Sequence, residues 1–340
     1  MDFSGKRVLI TGGAGFIGSH IAANLDKKGF RIRLFDLNFK NFDALSKKLE
    51  YNLEPQKVIG SVLDTISLRE AVRGCDYVVH AAAMLGVRNT ENKKLECLDV
   101  NILGTINVLD ACVKENVKRI VFTSSSEVYG EPIECPIRET NSTSPVSLYG
   151  VSKLAGEEYI KAYQAKHRLD YSIVRFFNVY GPGQVAEFVM PRFIKNVLNN
   201  EPPIVYGEGS QVRAFCFVED AAEGVSRVLT EGNGKNQIFN IGNDEESISM
   251  KDLAEKVIKI SGKNLQPRFV AMQDSDREES REIQKRIPTI YQARQLLKYK
   301  PIFSLDVGIK KVIDKGCIFD TWSYVEPETA QMLRADIKTS

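Results

Sequence analysis

The stretch RVLITGGAGFIGSH, residues 7 to 20, decides the fold. A β-branched run leads straight into Gly12, Gly15 and Gly18, spaced GxxGxxG, and then into a helix-length segment reaching about Lys28. Gly12 permits a tight reversal and Gly15 lets backbone approach a pyrophosphate. Gly18 lets the helix pack on the strand, and free N–H groups at the helix start face the phosphates. Glycines also make ordinary turns, so the weight of this triplet comes from its strand–turn–helix context. Asp36 adds to it by ending the next strand, RIRLFD, where an acid accepts from both ribose hydroxyls and repels a 2′-phosphate. NAD is therefore expected over NADP. Arg31 and Arg33 could serve a 2′-phosphate, but strand alternation is expected to turn them to solvent or to the sheet's flank.

Outward from this turn, short buried runs alternate with helix-length segments: KVI (57–59), YVVH (77–80), RIVF (119–122) and YSIVRFF (171–177), with long helices over about 93–115 and 148–166. Such alternation predicts an α/β chain with a Rossmann-type doubly wound parallel sheet. At 340 residues the chain exceeds the roughly 250–300 at which one core stops growing. After NVYGPG, Pro and Gly become frequent and the order loosens. The expected division is an NAD-binding domain over 1–178, with 215–242 returning to it, and a smaller mixed α/β substrate lobe over 179–214 and 243–330, partly interleaved. Residues 331–340 read as a tail.

Lys plus Arg number 46 against 44 Asp plus Glu, spread evenly, so neither nucleic acid nor a membrane is expected as partner. Six cysteines show no CxxC and no repeating spacing, so no disulfide framework or metal site is expected. With no apolar run of about 18 residues and no leader pattern, the expected location is the cytoplasm.

Two further motifs carry chemistry. TSSSEVYG (123–130) places Ser124, Ser125 and Ser126 at the end of a buried strand, followed by one carboxylate, Glu127. Tyr149 and Lys153 form a YxxxK pair on one face of a helix start. A phenol of pKa about 10 must lose about three units to act as a base near neutrality, roughly 4 kcal/mol. One ammonium about 4 Å away at an effective dielectric of about 20 supplies that much. A nicotinamide cation would add to it, so activation is expected mainly with NAD bound. His20 and His80 are expected to pack or cap and His167 to be exposed; none is given a role.

Together TGGAGFIG, HAAA, NILGT, SSSEVYG, YGVSK, RFFNVYGPG, GEGSQVRAF and KRIPTI resemble the extended short-chain dehydrogenase/reductase superfamily, specifically its nucleotide-sugar epimerase/dehydratase/decarboxylase group. The resemblance spans nearly the whole chain. It is specific for the group and not for the reaction. It implies that Phe16 and Ile17 lie beside the pyrophosphate, Asp36 on the adenosine ribose, Ser61 and Val62 with the adenine end, Ala81 and Ala82 along the cofactor, and Asn101 near the nicotinamide. Ser125 would bond the hydroxyl being oxidised, Tyr149 would take its proton, and Lys153 would tune Tyr149. Asn178 would meet the substrate, Tyr206 would lie along its base, and Arg213 with Arg286 would clamp its diphosphate, with Arg281 a nearby rival for Arg286. The resemblance also implies a homodimer built on the two long helices.

This sequence departs from the group's pattern in two places: Ser61 stands where an adenine-binding Asp is common, and Thr289 ends the RIPT run where an acid usually caps the next helix. Three readings stay open. A C4 epimerase passing through a 4-keto sugar needs only Ser125, Tyr149 and Lys153. A decarboxylase of the UDP-glucuronate type, or a dehydratase, would use Glu127 as a base. A non-catalytic dinucleotide sensor is the third, though such proteins lose the Tyr/Lys pair that is kept here. The Asp that protonates the leaving hydroxyl in 4,6-dehydratases is Ser126 here, and lacking a positioned acid costs roughly 10²–10⁴-fold. The resemblance therefore favours epimerisation, with Glu127 an orienting acceptor.

Overall fold

The computed structural model describes residues 3–86, 90, 92–274 and 283–316. Seven strands form one parallel sheet: β1 (Arg7–Thr11), β2 (Arg31–Asp36), β3 (Gln56–Ile59), β4 (Tyr77–His80), β5 (Arg119–Ser125), β6 (Asp170–Phe176) and β11 (Gln237–Ile241). Their order is β3-β2-β1-β4-β5-β6-β11, so the direction of winding reverses between β1 and β4. In open sheets of this kind ligands bind outside the strand C-termini at that reversal.

The sheet is covered on both faces, which is why its strands read as nearly continuous apolar runs. Successive residues feed opposite cores: Val8 and Ile10 join one with Val79, Val121 and Val174, while Leu9 joins the other with Val78, Ile120 and Ile173. Helix α1 (Phe16–Lys27) contributes Ile21 and Leu25 to the first core. Arg33 corrects the sequence reading. It is buried, donating to the carbonyls of Ala71 and Arg73 and to Gln56 Oε1, so it pins the end of the helix Thr65–Val72 beneath the sheet, whereas Arg31 is exposed. A long stem with five donors allows this: the guanidinium reaches polar carbonyls past the apolar layer.

The segment expected as one helix over 93–115 is α-helical over Lys94–Leu98, forms a π turn over Asp99–Leu103 and resumes as a helix over Gly104–Lys114. It lies against α2 (Leu148–His167), the helix carrying the YxxxK pair. That helix sits close on β5 because position 156 is glycine: an added Cβ would lie 2.6 Å from Phe122 Cζ.

A second lobe follows β6. Its core gathers Phe193, Ile194, Val205, Leu253, Val257 and Ile309. It holds a three-stranded sheet in the order β12 (Ser247–Ser249), β9 (Val212–Ala214), β14 (Lys285–Arg286), and a parallel pair of β8 (Ile204–Tyr206) with β13 (Arg268–Val270). A further parallel pair joins β7 (Val179–Tyr180) to β10 (Cys216–Phe217). Strand β11 returns to the large sheet beside β6, and the helix Tyr291–Leu297 packs Ile290, Ala293 and Leu297 into the first core. We propose the lobe division of the sequence reading with this helix added to the first lobe. No helix among the described residues is long and apolar enough to cross a membrane.

Gly156→Ala should lower stability by about 1–3 kcal/mol, since the new methyl meets a ring held between strand and helix. Urea unfolding checks this; an unchanged midpoint would contradict the close packing of α2 on β5.

Candidate active site

The glycine turn is closed by the backbone itself. Gly12 has φ +67, and an added Cβ there would lie 2.6 Å from Ala82 N and 2.7 Å from Ala81 C. At Gly18 the added atom would lie 2.1 Å from Gly12 O, so the helix can meet the loop only without a side chain. Gly15 precedes the first residue of α1, whose N-terminus has no side-chain cap, and Phe16 and Ile17 are half-buried in its first turn. These features fit a dinucleotide: an uncapped helix start offers amides to a pyrophosphate, and the glycines put no side chain of their own between loop and helix. Asp36 Oδ2 accepts from Ala14 N at 2.9 Å and Oδ1 from Leu37 N at 2.8 Å. Burial pushes its carboxyl up to about 6, against those amide bonds, which pull it down.

Ser61 Oγ accepts from Leu63 N at 3.2 Å, while Val62 is buried beneath Gly104, where an added Cβ would lie 2.6 Å from Val62 Cγ2. Ala81 and Ala82 follow β4 directly over the glycine turn. Asn101, in the π turn, is buried with its amide already engaged: Oδ1 accepts from Met84 N at 2.7 Å, and Nδ2 donates to Met84 O and Ser152 Oγ, each at 3.0 Å. It therefore ties the segment after β4 to α2. His80 is held between Thr11 Oγ1 and Thr105 Oγ1, and burial pulls it down to about 3. His20 contacts the Pro182 carbonyl and Tyr51, and His167 is exposed.

The serine run ends β5 beside the start of α2. Ser125 Oγ accepts from Glu127 N at 3.2 Å, and Ser126 is buried. Glu127 Oε2 accepts from Ser147 Oγ at 2.5 Å, and Oε1 lies 4.0 Å from an Arg286 nitrogen. Ser147 is the N-cap of α2, accepting from Gly150 N at 3.0 Å. Sequence reading missed this residue, although a serine two positions before Tyr149 at a helix start is a capping signal. Lys153 is buried, donates to the Thr123 carbonyl at 2.8 Å and lies 5.7 Å from the Tyr149 ring centre. Burial pulls Lys153 down to about 7. Burial also pushes the Tyr149 phenol well above its ordinary range, with the Glu127 carboxylate and Cys97 adding to it. Both shifts run opposite to an activated pair, because desolvation outweighs the attraction between the two charged forms.

Across the crevice, Arg213 and Arg286 are register partners on β9 and β14. Arg213 is buried and donates to the Val212 and Gln284 carbonyls. Asn178 has φ +40 and donates to Ala214 O at 2.9 Å, which places it against β9. Tyr206 ends β8 with the Arg192 guanidinium 5.5 Å from its ring centre, a cation-π contact absent from the sequence reading. Arg281 lies outside the described residues. Thr289 Oγ1 accepts from Tyr291 N at 3.2 Å, one residue ahead of Ile290, the N-cap position of the helix Tyr291–Leu297, which itself has no side-chain cap. Among the described residues no group of three or more His, Cys, Asp or Glu could hold a metal.

The profile of the NAD dependent epimerase/dehydratase family matches residues 8–242. A UDP-N-acetyl-alpha-D-glucosaminuronate decarboxylase of Bacillus cytotoxicus is 35% identical over 91% of this chain and 97% of its own length. Among solved structures, UDP-glucuronic acid 4-epimerase of Bacillus cereus, in complex with UDP-glucuronic acid and NAD, superposes with a TM-score of 0.82 at 30% identity, covering 91% of this chain and 98% of that one. UDP-glucose 4-epimerase of Thermotoga maritima, with UDP-glucose, gives 0.81 at 28% identity with the same coverage. The chain belongs to the NAD dependent epimerase/dehydratase family and is an enzyme of that kind.

Ser147→Ala should remove the cap of α2 and one partner of Glu127, lowering stability by about 1 kcal/mol, with Ser147→Gly costing less. Thermal unfolding of the two variants checks this, and equal stability of wild type and Ser147→Ala would contradict the capping geometry.

Proposed function

We propose that this member of the family is an NAD-dependent nucleotide-sugar 4-epimerase. The observation that carries the reading is the state of Glu127. Its carboxylate is engaged by Ser147 Oγ and lies beside Arg286, and the neighbouring position is a buried serine, not an acid. Epimerisation needs neither a free base at Glu127 nor an acid beside it. Ser125 bonds the sugar's C4 hydroxyl, Tyr149 takes its proton as C4 is oxidised, and Tyr149 returns it when C4 is reduced on the opposite face. NAD, when bound, supplies the reversible hydride acceptor. Its positive ring, together with Lys153, offsets the desolvation that raises the Tyr149 phenol.

Gly12, Gly15, Phe16, Ile17, Gly18, Asp36, Ser61, Val62, Ala81 and Ala82 form the proposed cofactor cradle, with Asn101 acting through Met84 and Ser152. Asn178, Tyr206, Arg213 and Arg286 form the proposed substrate side. The cross-strand register of Arg213 and Arg286 supports them as the pair that meets a diphosphate bidentately. The solved relatives bound to UDP-sugars support a nucleotide-sugar substrate. Decarboxylation is the second reading, favoured by the Bacillus cytotoxicus relative and by the electrostatic reach of Glu127 to Tyr149. A homodimer belongs to the proposal: the helices 94–98 and α2 leave Leu95 68%, Val151 44% and Tyr159 40% exposed, more apolar surface than one core needs.

Tyr149→Phe should abolish turnover while leaving UDP-sugar binding nearly intact, because only the proton acceptor is lost. A variant keeping a tenth of wild-type activity would overturn the proton assignment. Glu127→Gln should keep most of the activity of an epimerase; arrest after NADH forms, with a 4-keto sugar accumulating, would instead make Glu127 a base and favour decarboxylation. NAD affinity should weaken as pH falls through about 6, because below that pH the buried Asp36 carboxyl protonates and loses an acceptor for the ribose. Titration calorimetry across that range checks it, and an affinity flat with pH would remove Asp36 from the cofactor set.

A further inference from the structure

Behind the serine run lies a buried ion pair that the proposed reaction does not use. Glu157 stands one turn after Lys153 on α2 and is 0% exposed. Its Oε1 accepts from Ser124 Oγ at 2.6 Å and from Arg175 Nε at 2.9 Å, and its Oε2 accepts from an Arg175 terminal nitrogen at 2.6 Å. Arg175, on β6, also donates to Tyr129 Oη at 2.9 Å and to the Glu139 carbonyl at 3.2 Å, and Tyr129 Oη donates to Asn240 Oδ1 at 2.7 Å. One carboxylate thus joins the residue before Ser125 to the helix of Tyr149 and Lys153. Burying such a pair is expensive and often adds nothing to stability over apolar packing.

The surroundings of Lys153 sharpen the point. From other elements it faces the Thr123 carbonyl and the Phe122 ring on β5, His80 on β4 and Cys97 on the helix 94–98; Tyr149 shares its own helix. Burial keeps His80 uncharged near neutrality and pushes the Cys97 thiol up to about 11. Glu157 is the carboxylate acting on Lys153, and it is itself faced by Arg175 and by the phenols of Tyr129 and Tyr171. An anion one turn away favours the ammonium form of a lysine that desolvation would otherwise discharge.

We propose, resting on the reading of Tyr149 and Lys153 as the proton-handling pair, that Glu157 is a positioning residue. Clamped by Arg175, it fixes the serine strand against α2 and keeps Lys153 charged. Removing its charge leaves Arg175 uncompensated, so Lys153 loses its proton at lower pH. The alkaline limb of the kcat profile should then move down.

The test uses the purified holoenzyme with whichever of UDP-glucose, UDP-N-acetylglucosamine or UDP-glucuronate it turns over. Glu157→Gln should move the alkaline limb down by about one pH unit and cut kcat about tenfold at mildly alkaline pH, with KM within about twofold. Glu157→Asp should restore the limb. Tyr129→Phe, which cuts the same network but leaves the charge pair whole, should lower the melting temperature with the limb in its wild-type place. A Glu157→Gln enzyme that melts earlier yet keeps the wild-type limb would make Glu157 a structural strut and overturn the proposal. If Glu157→Gln does not fold, Ser124→Ala decides, because it keeps every charge but cuts the link to the strand. A several-fold fall in kcat at unchanged KM supports positioning, and wild-type kcat overturns it. Activity retained by Tyr149→Phe would separately sink the proton-pair reading itself.

Discussion

The approach of the glycine turn to the segment after β4 is the constraint on which the rest of the structure depends. A single methyl at Gly12 would press within 2.6 Å of Ala82 N, and one at Gly18 within 2.1 Å of Gly12 O. Backbone against backbone at this density sets an uncapped helix start at the crevice between β1 and β4. A pyrophosphate is the ligand such a surface suits. The strand ends that carry Asp36, Ala81, Ser125 and Asn178 are set around that point by the order of the sheet, and the second lobe brings Arg213 and Arg286 to face them.

Electrostatics then divides the site into a part that is ready and a part that is not. The proposed substrate side already holds two arginines in register. The proton side does not: burial drives the Tyr149 phenol up and the Lys153 ammonium down. Under the proposed function such a pair acts as base only when further positive charge enters. The same desolvation gives Glu157 its importance, since in a dry site a neighbouring carboxylate weighs more than it would in water.

The sheet, the glycine turn, Asp36 and the YxxxK helix were legible in the sequence because each follows from a local pattern: alternation, glycine spacing or a four-residue offset on one helix face. Arg33 was not, because strand alternation gives the face of a side chain but not how far a long stem reaches into the sheet. The partners of Asn101 were not legible either: its amide is engaged by Met84 and Ser152, a pairing that depends on a π turn no simple periodicity announces. The Glu157–Arg175 pair joins residues 18 apart in sequence, across a helix and a strand. A charge four residues after Lys153 reads from sequence as a solvated helix face. Only packing shows that this face is inside.

Under the proposed function the alternatives part at the fate of a 4-keto sugar, and the state of Glu127 is the observation that favours one of them. It is engaged by Ser147 and lies beside Arg286, and on that ground we propose that it orients the sugar and abstracts nothing from it. The most direct measurement is turnover of UDP-sugars carrying deuterium at C4, followed by NMR and mass analysis of the product. The account predicts a product of unchanged mass, inverted at C4 and still deuterated there, because the same hydride leaves and returns. Loss of carbon dioxide or water from the sugar, or hydrogen taken from solvent at C5, would contradict it.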